Sequence, residues 1–535
     1  MDLNNKLEKD SKPEQPETIA NSRSAELAET LKKLSAVPKF IIGTENGETV
    51  TDYGQLDPEI VLQCAQDFDL GNSALIVKLF SGKYMYFDIY GKIQIWNSGL
   101  WAEIPEANVQ KDVMNLLHKV YLSTAFHFRN LRTKLETEDS ETNKAEIKNL
   151  EKKDKICLNA AKQAKIKKLI KPAISLATGY EAFQCLEKQS DSNLYEINLL
   201  NGVYNLKTHT FRLHDPITDR FLKQAGTDFH PNAQCPIFDK FMNVIFEGNS
   251  DVISFVLQWY GLCLTGDVSN QSFLYNYGTG ANGKSTLINL MQCIYGSYCT
   301  TIGINTLLNK PFENSSDSYE KANLKGARIA LSTEIPAGQK MNESLVKTLT
   351  GGDTITARHP YGKVLNIIPT HKLVMCGNHK LMIIGQDYAI WRRVLLLHFK
   401  VQIPDEQKDT NLLEKLKNEM PGILNKLIAG YKDYTKNGCK LTIPAEVIQA
   451  TEAYKTESDT ELRDFLEKCC DTTDANSRTL LKDIWECYTS WGNSGEVKFK
   501  RSQDLSTALQ LRQFKYIKPD NKGTFLGIKL KSEMY

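Results

Sequence analysis

The sequence lacks several features that mark particular classes of protein. Its twelve cysteines include no C-x-x-C pair, so a zinc ribbon is not encoded and reduced core thiols are expected. No apolar run approaches the roughly 20 residues that a membrane-spanning helix needs. Residues 1–25 are rich in Lys, Glu, Pro and Ser and lack the apolar core of a signal peptide. These absences predict a cytoplasmic protein with no membrane partner.

An excess of one charge is also missing. The 535 residues include 66 Lys and Arg against 64 Asp and Glu, a formal net charge of +2, and 41% of them are hydrophobic. This composition is typical of soluble globular proteins, and a chain of this length should form two to four domains. Bulk charge does not indicate a nucleic-acid partner, so any basic surface must be local.

Local patterns change along the chain. Residues 40–104 predict short strands, because aromatic and β-branched residues there are interrupted by turn pairs such as Ser81-Gly82. Residues 108–190 predict helices with a lysine cluster, for which an exposed helix is favoured over a DNA contact. The clustered lysines are Lys162, Lys165, Lys167, Lys168 and Lys171. From 272 to 401, strands alternate with helices, which favours an α/β nucleotide-binding core.

The strongest motif is a phosphate-binding loop at Gly278–Ser285. An apolar strand leads into G-T-G-A-N-G-K-S and an amphipathic helix follows, which is the G-x-x-x-x-G-K-[ST] pattern in its strand–loop–helix context. The backbone N–H groups of such a loop turn toward phosphates at a helix N-terminus. Lys284 should reach the β- and γ-phosphates of ATP, and the Ser285 hydroxyl should bind Mg²⁺. The predicted ATP-binding residues are Gly278, Thr279, Gly280, Ala281, Asn282, Gly283, Lys284, Ser285 and Thr286.

Polar residues follow two further apolar segments downstream. The predicted strand 327–331 ends close to Glu334, whose carboxylate would polarise the attacking water or assist Mg²⁺; the alternative is an ordinary exposed glutamate. The predicted strand 372–376 ends close to Asn378, whose amide would sense the γ-phosphate; the alternative is a turn residue. Arg392 and Arg393 precede the apolar run VLLLHF, which suits a finger that reaches a neighbour's ATP, or a surface salt bridge.

A β-hairpin is predicted within KTLTGGDTITARHPYGKVLNIIP, because apolar residues alternate on both sides of a turn at 359–362. Its tip carries Arg358, His359, Tyr361 and Lys363. Basic and aromatic side chains of this kind hold a phosphate backbone and stack a base. A surface hairpin without a ligand is an equal alternative.

The order of these motifs resembles that of the superfamily 3 helicases of the AAA+ class. It is most similar to the phage and plasmid primase-helicase family, which includes virus-encoded replicative helicases. The matching segments are GTGANGKST (278–286), ALSTE (330–334), KTLTGGDTITARHPYGK (347–363), VMCGN (374–378) and DYAIWRR (387–393). The resemblance covers about 195–400 and implies a hexameric ring that moves on single-stranded DNA in a bacterial host cell. It also implies ATP and Mg²⁺ bound between subunits.

The resemblance carries roles onto matching residues. Lys284 and Ser285 would bind nucleotide and Mg²⁺, and Glu334 would be the Walker B acid. Asn378 would be sensor 1, and Arg392 or Arg393 would be the arginine finger. The hairpin at 358–363 would be the loop that grips DNA. Thr333 stands where many ATPases carry Asp. The division of Mg²⁺ ligation between Ser285, Glu334 and water therefore stays open.

The C-terminal segment resembles the winged-helix domain that closes many members of the family. Two predicted helices are followed by a hairpin with its turn near 520–523. From Lys498 to Tyr535 there are nine Lys and Arg against three Asp and Glu, a local net charge of +6. This charge favours a DNA contact over a stabilising cap on the motor.

The predicted fold class is multidomain α/β, with an AAA+-like P-loop NTPase core on a parallel sheet. A mixed and helical N-terminal region precedes the core, and a winged-helix-like domain follows it. The predicted regions are a disordered tail at 1–30, a small β-rich domain at 31–110, a mainly helical domain at 111–250, the ATPase core at 251–405, a helical connector at 406–455 and the winged-helix-like domain at 456–535.

The predicted function is that of an ATP-dependent DNA helicase in the replication of a phage, plasmid or prophage. The alternatives are an ATP-switched initiator that binds origin DNA without processive unwinding, and a P-loop NTPase unrelated to DNA. Primase activity is not expected, because Asp67, Asp69 and Asp88 do not form the carboxylate cluster that two metal ions need. A separate primase is an expected partner, with forked DNA and further copies of this chain.

Overall fold

The computed structural model describes residues 56–531, except 138–142, 311–313, 337–338, 359–363, 384–387, 459, 493–498, 500, 513 and 520–521. The described residues form two compact units. The N-terminal unit comprises the residues up to Ser192 together with His214–Leu222. The second, here called the motor unit, comprises Asn193–Leu213 and the residues from Lys223 onward. The region predicted as one helical domain at 111–250 is therefore divided between the two units.

The described part of the N-terminal unit combines five α-helices with a small sheet. The helices are α1 (Pro58–Gln66), α2 (Phe68–Phe80), α3 (Glu106–Thr137), α4 (Lys144–Ala164) and α5 (Lys167–Ala177). The strands are β1 (Tyr84–Phe87), β2 (Lys92–Asn97), β3 (Leu100–Glu103) and β4 (Gln184–Cys185). They lie in the order β3-β2-β1-β4, with β4 parallel to β1. The apolar faces of the helices share one core, which includes Leu75, Val113 and Tyr121.

The prediction of short strands over 40–104 is wrong for residues 58–80, which form α1 and α2. At the start of α1 the Asp57 carboxylate accepts a hydrogen bond from the Glu59 amide, and Pro58 occupies the first helical position. In α2 the apolar run 74–77 is buried on every side. Such a run is typical of a fully buried helix as well as of a buried strand, and periodicity does not separate the two. The predicted tail at 1–30 and residues 40–55 lie outside the described residues.

The motor unit begins with a three-stranded antiparallel sheet and two helices. The strands are β5 (Glu196–Leu199), β6 (Gly202–Asn205) and β7 (Thr210–Arg212), and the helices are α6 (Pro236–Ile245) and α7 (Ser250–Cys263). The Asn249 side chain caps α7 by accepting hydrogen bonds from the amides of Asp251 and Val252. Both helices bury aromatic residues, among them Phe238 and Trp259, in the largest core of the unit.

Five parallel strands form the central sheet of the motor unit. They are β8 (Phe273–Tyr277), β9 (Cys299–Thr301), β10 (Ile329–Ser332), β13 (Lys372–Gly377) and β14 (Val394–His398), in the order β14-β8-β13-β10-β9. The strands β10 and β13 are buried along their whole length, as expected where helices cover both faces of a parallel sheet. The helix α8 (Lys284–Tyr295) follows β8 directly after the phosphate loop. The three strands predicted before the polar residues are confirmed, within two residues at each end.

Shorter elements connect these strands. The helices are α9 (Ile304–Leu307), α10 (Ser315–Ala322), α11 (Glu343–Gly351) and α12 (Tyr388–Trp391). The predicted hairpin is confirmed in its described part, in which β11 (Ile355–Arg358) pairs antiparallel with β12 (Val364–Ile367). Its tip at 359–363 lies outside the described residues. After the sheet come α13 (Leu412–Lys417), α14 (Met420–Lys436) and α15 (Ala445–Glu457), and α14 packs along α7.

The last part of the motor unit has its own small core. Its helices are α16 (Thr460–Cys469), α17 (Leu481–Trp491) and α18 (Ser502–Leu511), and its strands are β15 (Cys470–Asp471), β16 (Arg478–Leu480), β17 (Tyr516–Ile517), β18 (Thr524–Leu526) and β19 (Lys529–Leu530). A sheet in the order β16-β18-β17 lies against a cluster that includes Phe465, Tyr488 and Phe525. The described residues thus form a multidomain α/β protein that contains a parallel sheet. Among its described helices, none combines the length and the apolar character needed to cross a membrane.

Candidate nucleotide-binding site

The phosphate loop joins β8 to α8 at the carboxyl edge of the parallel sheet. Gly283 has a φ of +79°, and a Cβ at this position would come within 2.4 Å of a methyl carbon of Ile245 in α6. Only glycine therefore fits this turn into the helix without strain. The buried Asn282 side chain donates to the carbonyl of Phe399 and accepts from the Lys284 amide, which holds the loop against the segment after β14.

Lys284 links the phosphate loop to the neighbouring strand. Its ammonium group donates to the carbonyl of Gly278 at 2.8 Å, to the carbonyl of Gly377 at 3.0 Å and to Oδ1 of Asn378 at 2.7 Å. The side chain is only 5% exposed, and its burial lowers the pKa below the ordinary value for lysine. Two residues that sequence reasoning selected separately, Lys284 and Asn378, are therefore in direct contact.

Glu334 lies just after β10, the next strand in the sheet beyond β13. It is exposed and has a φ of +60°, which is uncommon for a residue with a side chain. The next residue, Ile335, packs against Gly377, because a Cβ on that glycine would lie 2.7 Å from the Ile335 Cβ. Strain of this kind concentrates at functional sites, where the surrounding structure compensates for its cost. The segment that carries Glu334 therefore packs against Gly377, whose carbonyl accepts a hydrogen bond from Lys284.

A cleft of about 1050 Å³ opens beside the loop and is lined by Gly280–Thr286 and by Asn378. Its walls include apolar residues that sequence reasoning did not select. They are Ile237, Phe241 and Val244 of α6, together with Ile403 and Leu412. Ile237 and Val244 are exposed although they are large and apolar. The sequence did contain a signal for these residues. The apolar face of α6 is wider than a helix needs when it packs against the core on one side only, which indicates a second apolar contact.

The residues present fit a nucleotide with Mg²⁺. The cleft volume suits a ligand of that size, and backbone N–H groups at the start of α8 face phosphates in loops of this form. Ser285 and Glu334 are both exposed. Within the described ranges no three His, Cys, Asp or Glu side chains cluster as a metal site made of protein ligands alone would need. Mg²⁺ with phosphates needs only one or two protein ligands and water.

The two adjacent arginines lie at the opposite edge of the sheet. They precede β14, whose first residue pairs with Phe273 at the start of β8, whereas the phosphate loop follows the end of β8. Arg392 is exposed and donates to the Gln271 side chain at 2.6 Å. Arg393 is 7% exposed and donates to the same Gln271 oxygen at 3.2 Å and to the carbonyl of Ala389. A five-residue strand is about 16 Å long, so neither arginine is placed to reach its own phosphate loop.

The predicted DNA-binding residues lie on the hairpin between α11 and β13. Arg358 is exposed at the end of β11, opposite Val364. His359, Tyr361 and Lys363 lie outside the described residues. The structure therefore describes the base of the hairpin. DNA binding by its tip stays a prediction.

Two family models match the chain. A family described as D5 N terminal like matches residues 73–247, and a family of unknown function, DUF5906, matches residues 276–393. The second match contains the phosphate loop, Glu334, Asn378 and both arginines.

Several curated viral proteins are similar in sequence. A candidate helicase, L207/L206, of Acanthamoeba polyphaga mimivirus is 28% identical over 352 residues, which cover 61% of this chain and 36% of that protein. A candidate primase, C962R, of African swine fever virus is 22% identical over 475 residues, 82% of this chain and 48% of that protein. A candidate helicase, V13, of Sputnik virophage is 24% identical over 280 residues, 47% of this chain and 34% of that protein. The chain therefore spans less than half the length of each of these relatives.

Among solved structures, the C-terminal region of NrS-1 aligns with 84% of this chain and with 98% of its own length. The sequence identity is 13% and the TM-score is 0.44.

Proposed function

We propose that this chain, which belongs to the viral and phage primase-helicase family, is an ATP-dependent DNA helicase that acts in viral replication. The observation that carries the proposal is the contact between Lys284 and Asn378, which joins the phosphate loop to the end of the adjacent strand. In this arrangement Lys284 would bind the β- and γ-phosphates, and Asn378 would respond to the γ-phosphate. Glu334 would polarise the attacking water, and Ser285 would complete the Mg²⁺ shell.

The strand order supports an AAA+-like core. The strand β13, which ends at Asn378, lies between β8, which carries the phosphate loop, and β10, which precedes Glu334. The phosphate loop and Asn378 line the cleft, and Glu334 follows a strand that ends at the same edge of the sheet, because the carboxyl ends of parallel strands share one edge. Nucleotide, Mg²⁺ and water activation are therefore proposed at one site.

A ring of identical subunits is proposed from the position of Arg392. The side chain is exposed at the edge of the sheet opposite its own phosphate loop. An arginine finger there would act on the ATP of the next subunit, which is a head-to-tail contact that closes into a ring. Six subunits, single-stranded or forked DNA as the track, and the bacterial host are proposals that rest on the family resemblance.

The last part of the motor unit supports a second candidate, an initiator that reads origin DNA. The element order α16, β16, α17, α18, β17, β18 and the sheet order β16-β18-β17 support a winged-helix-like domain. A domain of that kind would place a helix in the major groove of duplex DNA. Priming by this chain is not proposed, although some relatives carry primase names.

The test compares the wild-type protein with Lys284→Ala in ATP hydrolysis and in unwinding of a forked substrate. We expect DNA-stimulated hydrolysis in the wild type and a loss of at least about 100-fold in the variant, because the phosphates lose their cation. Lys436→Ala is the matched control, since Lys436 is an exposed lysine at the end of α14. Unwinding that survives Lys284→Ala would refute the proposal. Binding to a specific duplex without unwinding would favour the initiator.

A further inference from the structure

A second basic surface lies on the N-terminal unit, outside the sequence range 278–393 that carries the ATPase motifs. Its five exposed lysines, here called the lysine surface, are Lys162, Lys165, Lys167, Lys168 and Lys171. They lie at the end of α4 and along α5. From residue 155 to residue 180 the sequence contains no Asp or Glu. The charge of this segment is therefore not balanced by acids within it.

Ion pairing does not account for these lysines. Earlier on α4, Lys153 pairs with Glu59 and Lys155 with Glu151, each at 2.6 Å. Among the residues that the structure describes, no salt bridge is seen for any lysine of the lysine surface. Lys148 and Lys152, earlier on α4, have no salt bridge within the described ranges either, so the lysine surface is distinguished by the lack of any acid from residue 155 to residue 180. Solubility alone would not require this segregation of charge.

Helix electrostatics account for only part of the lysine surface. Lys162 and Lys165 lie at the C-terminal end of α4, where the helix dipole favours positive charge. Lys167 and Lys168 occupy the first turn of α5, which contains no acidic residue, and positive charge is disfavoured there. The arrangement has an electrostatic cost that an anionic partner would remove.

The helix α5 presents these side chains from a fixed position. Its opposite face is buried in the core through Ile170, Ala173 and Ala177. That face is not available for insertion into a lipid layer, which an amphipathic membrane helix requires. Ile166 is 49% exposed and Leu169 is 37% exposed between the lysines. An unstacked base has an apolar face that would cover them, whereas a duplex would present only phosphates.

We propose that the lysine surface binds the phosphate backbone of single-stranded DNA. The choice of DNA among polyanions rests on the proposed replication function, while the need for a polyanion rests on the charge alone. A groove of about 740 Å³ adjoins Lys171, and Lys92, Glu103 and Glu106 also line it. The two lysines and two glutamates that line the groove carry no net charge. We therefore place the phosphates on the exposed lysine surface and not in the groove.

The first test uses the full-length protein with four exposed lysines changed together, Lys165→Gln, Lys167→Gln, Lys168→Gln and Lys171→Gln. The matched control changes four exposed lysines elsewhere on the same unit, Lys134→Gln, Lys148→Gln, Lys152→Gln and Lys188→Gln. Binding to a fluorescent single-stranded oligonucleotide should weaken about tenfold in the first variant only. The slope of log affinity against log salt should fall by about 3, because each phosphate contact contributes about 0.7.

A position-specific readout separates this surface from other DNA contacts of the chain. The photoreactive residue p-benzoylphenylalanine, placed at Ile166, should crosslink to the bound oligonucleotide. The same residue at Leu131, which is 38% exposed on α3, should not. Crosslinking should persist with Lys284→Ala, so failure of the ATPase proposal would leave this result intact.

Three outcomes would overturn the inference. One is an equal loss of DNA binding in both four-lysine variants. Another is absence of a crosslink at Ile166. The third is unchanged DNA binding by the first variant together with loss of its binding to vesicles that contain phosphatidylserine, which would assign the lysine surface to a membrane.

Discussion

At the scale of single residues, Arg392 and Arg393 have different surroundings although they are adjacent in the chain. Arg393 is buried and donates to the carbonyl of Ala389 and to Gln271. Arg392 is exposed and shares Gln271. A side chain that must reach another subunit has to be exposed, so Arg392 is the better candidate for the finger. The sequence pair alone did not distinguish them.

This difference predicts separate effects for the two arginines. Arg392→Ala should reduce ATP hydrolysis about 1000-fold and leave the melting temperature unchanged, because charge stabilisation in the transition state is lost. Arg393→Ala should lower the free energy of unfolding by about 2–4 kcal/mol, because the packing of a buried side chain and its hydrogen bonds to two part-buried acceptors are lost. Thermal melting and steady-state hydrolysis of the two variants measure both effects. Unchanged hydrolysis in Arg392→Ala would rule out its role as a finger.

A second residue-scale prediction concerns Lys372, which is fully buried at the start of β13. Burial lowers its pKa to about 7, and its ammonium group donates to the carbonyl of Thr265. Between pH 7 and about pH 10 the unfolded chain binds a proton here that the folded chain does not. The contribution of Lys372 to stability therefore rises with pH across this window and is least favourable at pH 7 and below.

The variant Lys372→Met removes this titration. We expect it to be more stable relative to the wild type at pH 7 than at pH 9.5, with a difference on the order of 3 kcal/mol. Urea unfolding at the two pH values measures the difference. The same stability difference at both pH values would show that Lys372 does not titrate in this way.

At the scale of elements, α6 lines the nucleotide cleft although its first residue, Pro236, precedes the phosphate loop by roughly forty residues. One face of α6 is buried, and Ile237, Phe241 and Val244 line the cleft. Gly283 of the loop packs directly against this helix. We expect the apolar side chains to hold the base of the nucleotide, since stacking surfaces of this kind exclude water from a planar ring.

The variant Ile237→Glu tests this role of α6. It should raise the KM for ATP about tenfold, which corresponds to the roughly 1.4 kcal/mol lost when an apolar contact is replaced by a solvated charge. The value of kcat should change little, because the phosphates keep their contacts. Ile448→Glu is the control, since Ile448 is an exposed isoleucine of α15 that does not line the cleft. A rise in KM of the same size in both variants would contradict a specific contact.

At the scale of the whole molecule, the proposed site needs two subunits. Lys284 belongs to one edge of the sheet and Arg392 to the other. Each subunit of a ring would then supply the loop for one site and the arginine for the next.

A mixture of two inactive variants tests this sharing. Lys284→Ala and Arg392→Ala subunits, combined in equal amounts, should recover activity at roughly a quarter of the sites, where an intact loop meets an intact arginine. Hydrolysis by the mixture, compared with each variant alone, measures the recovery, and mass determination with nucleotide gives the ring size. A mixture as inactive as its components would place both residues in one subunit's site or show that no ring forms.

The sequence by itself determined the phosphate loop and the strands around it. The reason is local, because the spacing of glycines, Lys284 and Ser285 encodes a loop whose backbone binds phosphate wherever a strand and a helix flank it. The polar residues Glu334 and Asn378 were found for the same reason, since each follows an apolar strand. The strand positions are confirmed, whereas the roles of these residues stay predictions.

Only the tertiary structure decided which of these residues meet. Long-range packing places Asn378 against Lys284, brings α6 to the cleft and separates Arg392 from Arg393 by burial. It also decided that 58–80 is helical, because an apolar run buried on all sides carries no periodicity that separates a helix from a strand. Contacts between residues a hundred positions apart depend on the order of strands in the sheet, and no local pattern in the chain encodes that order.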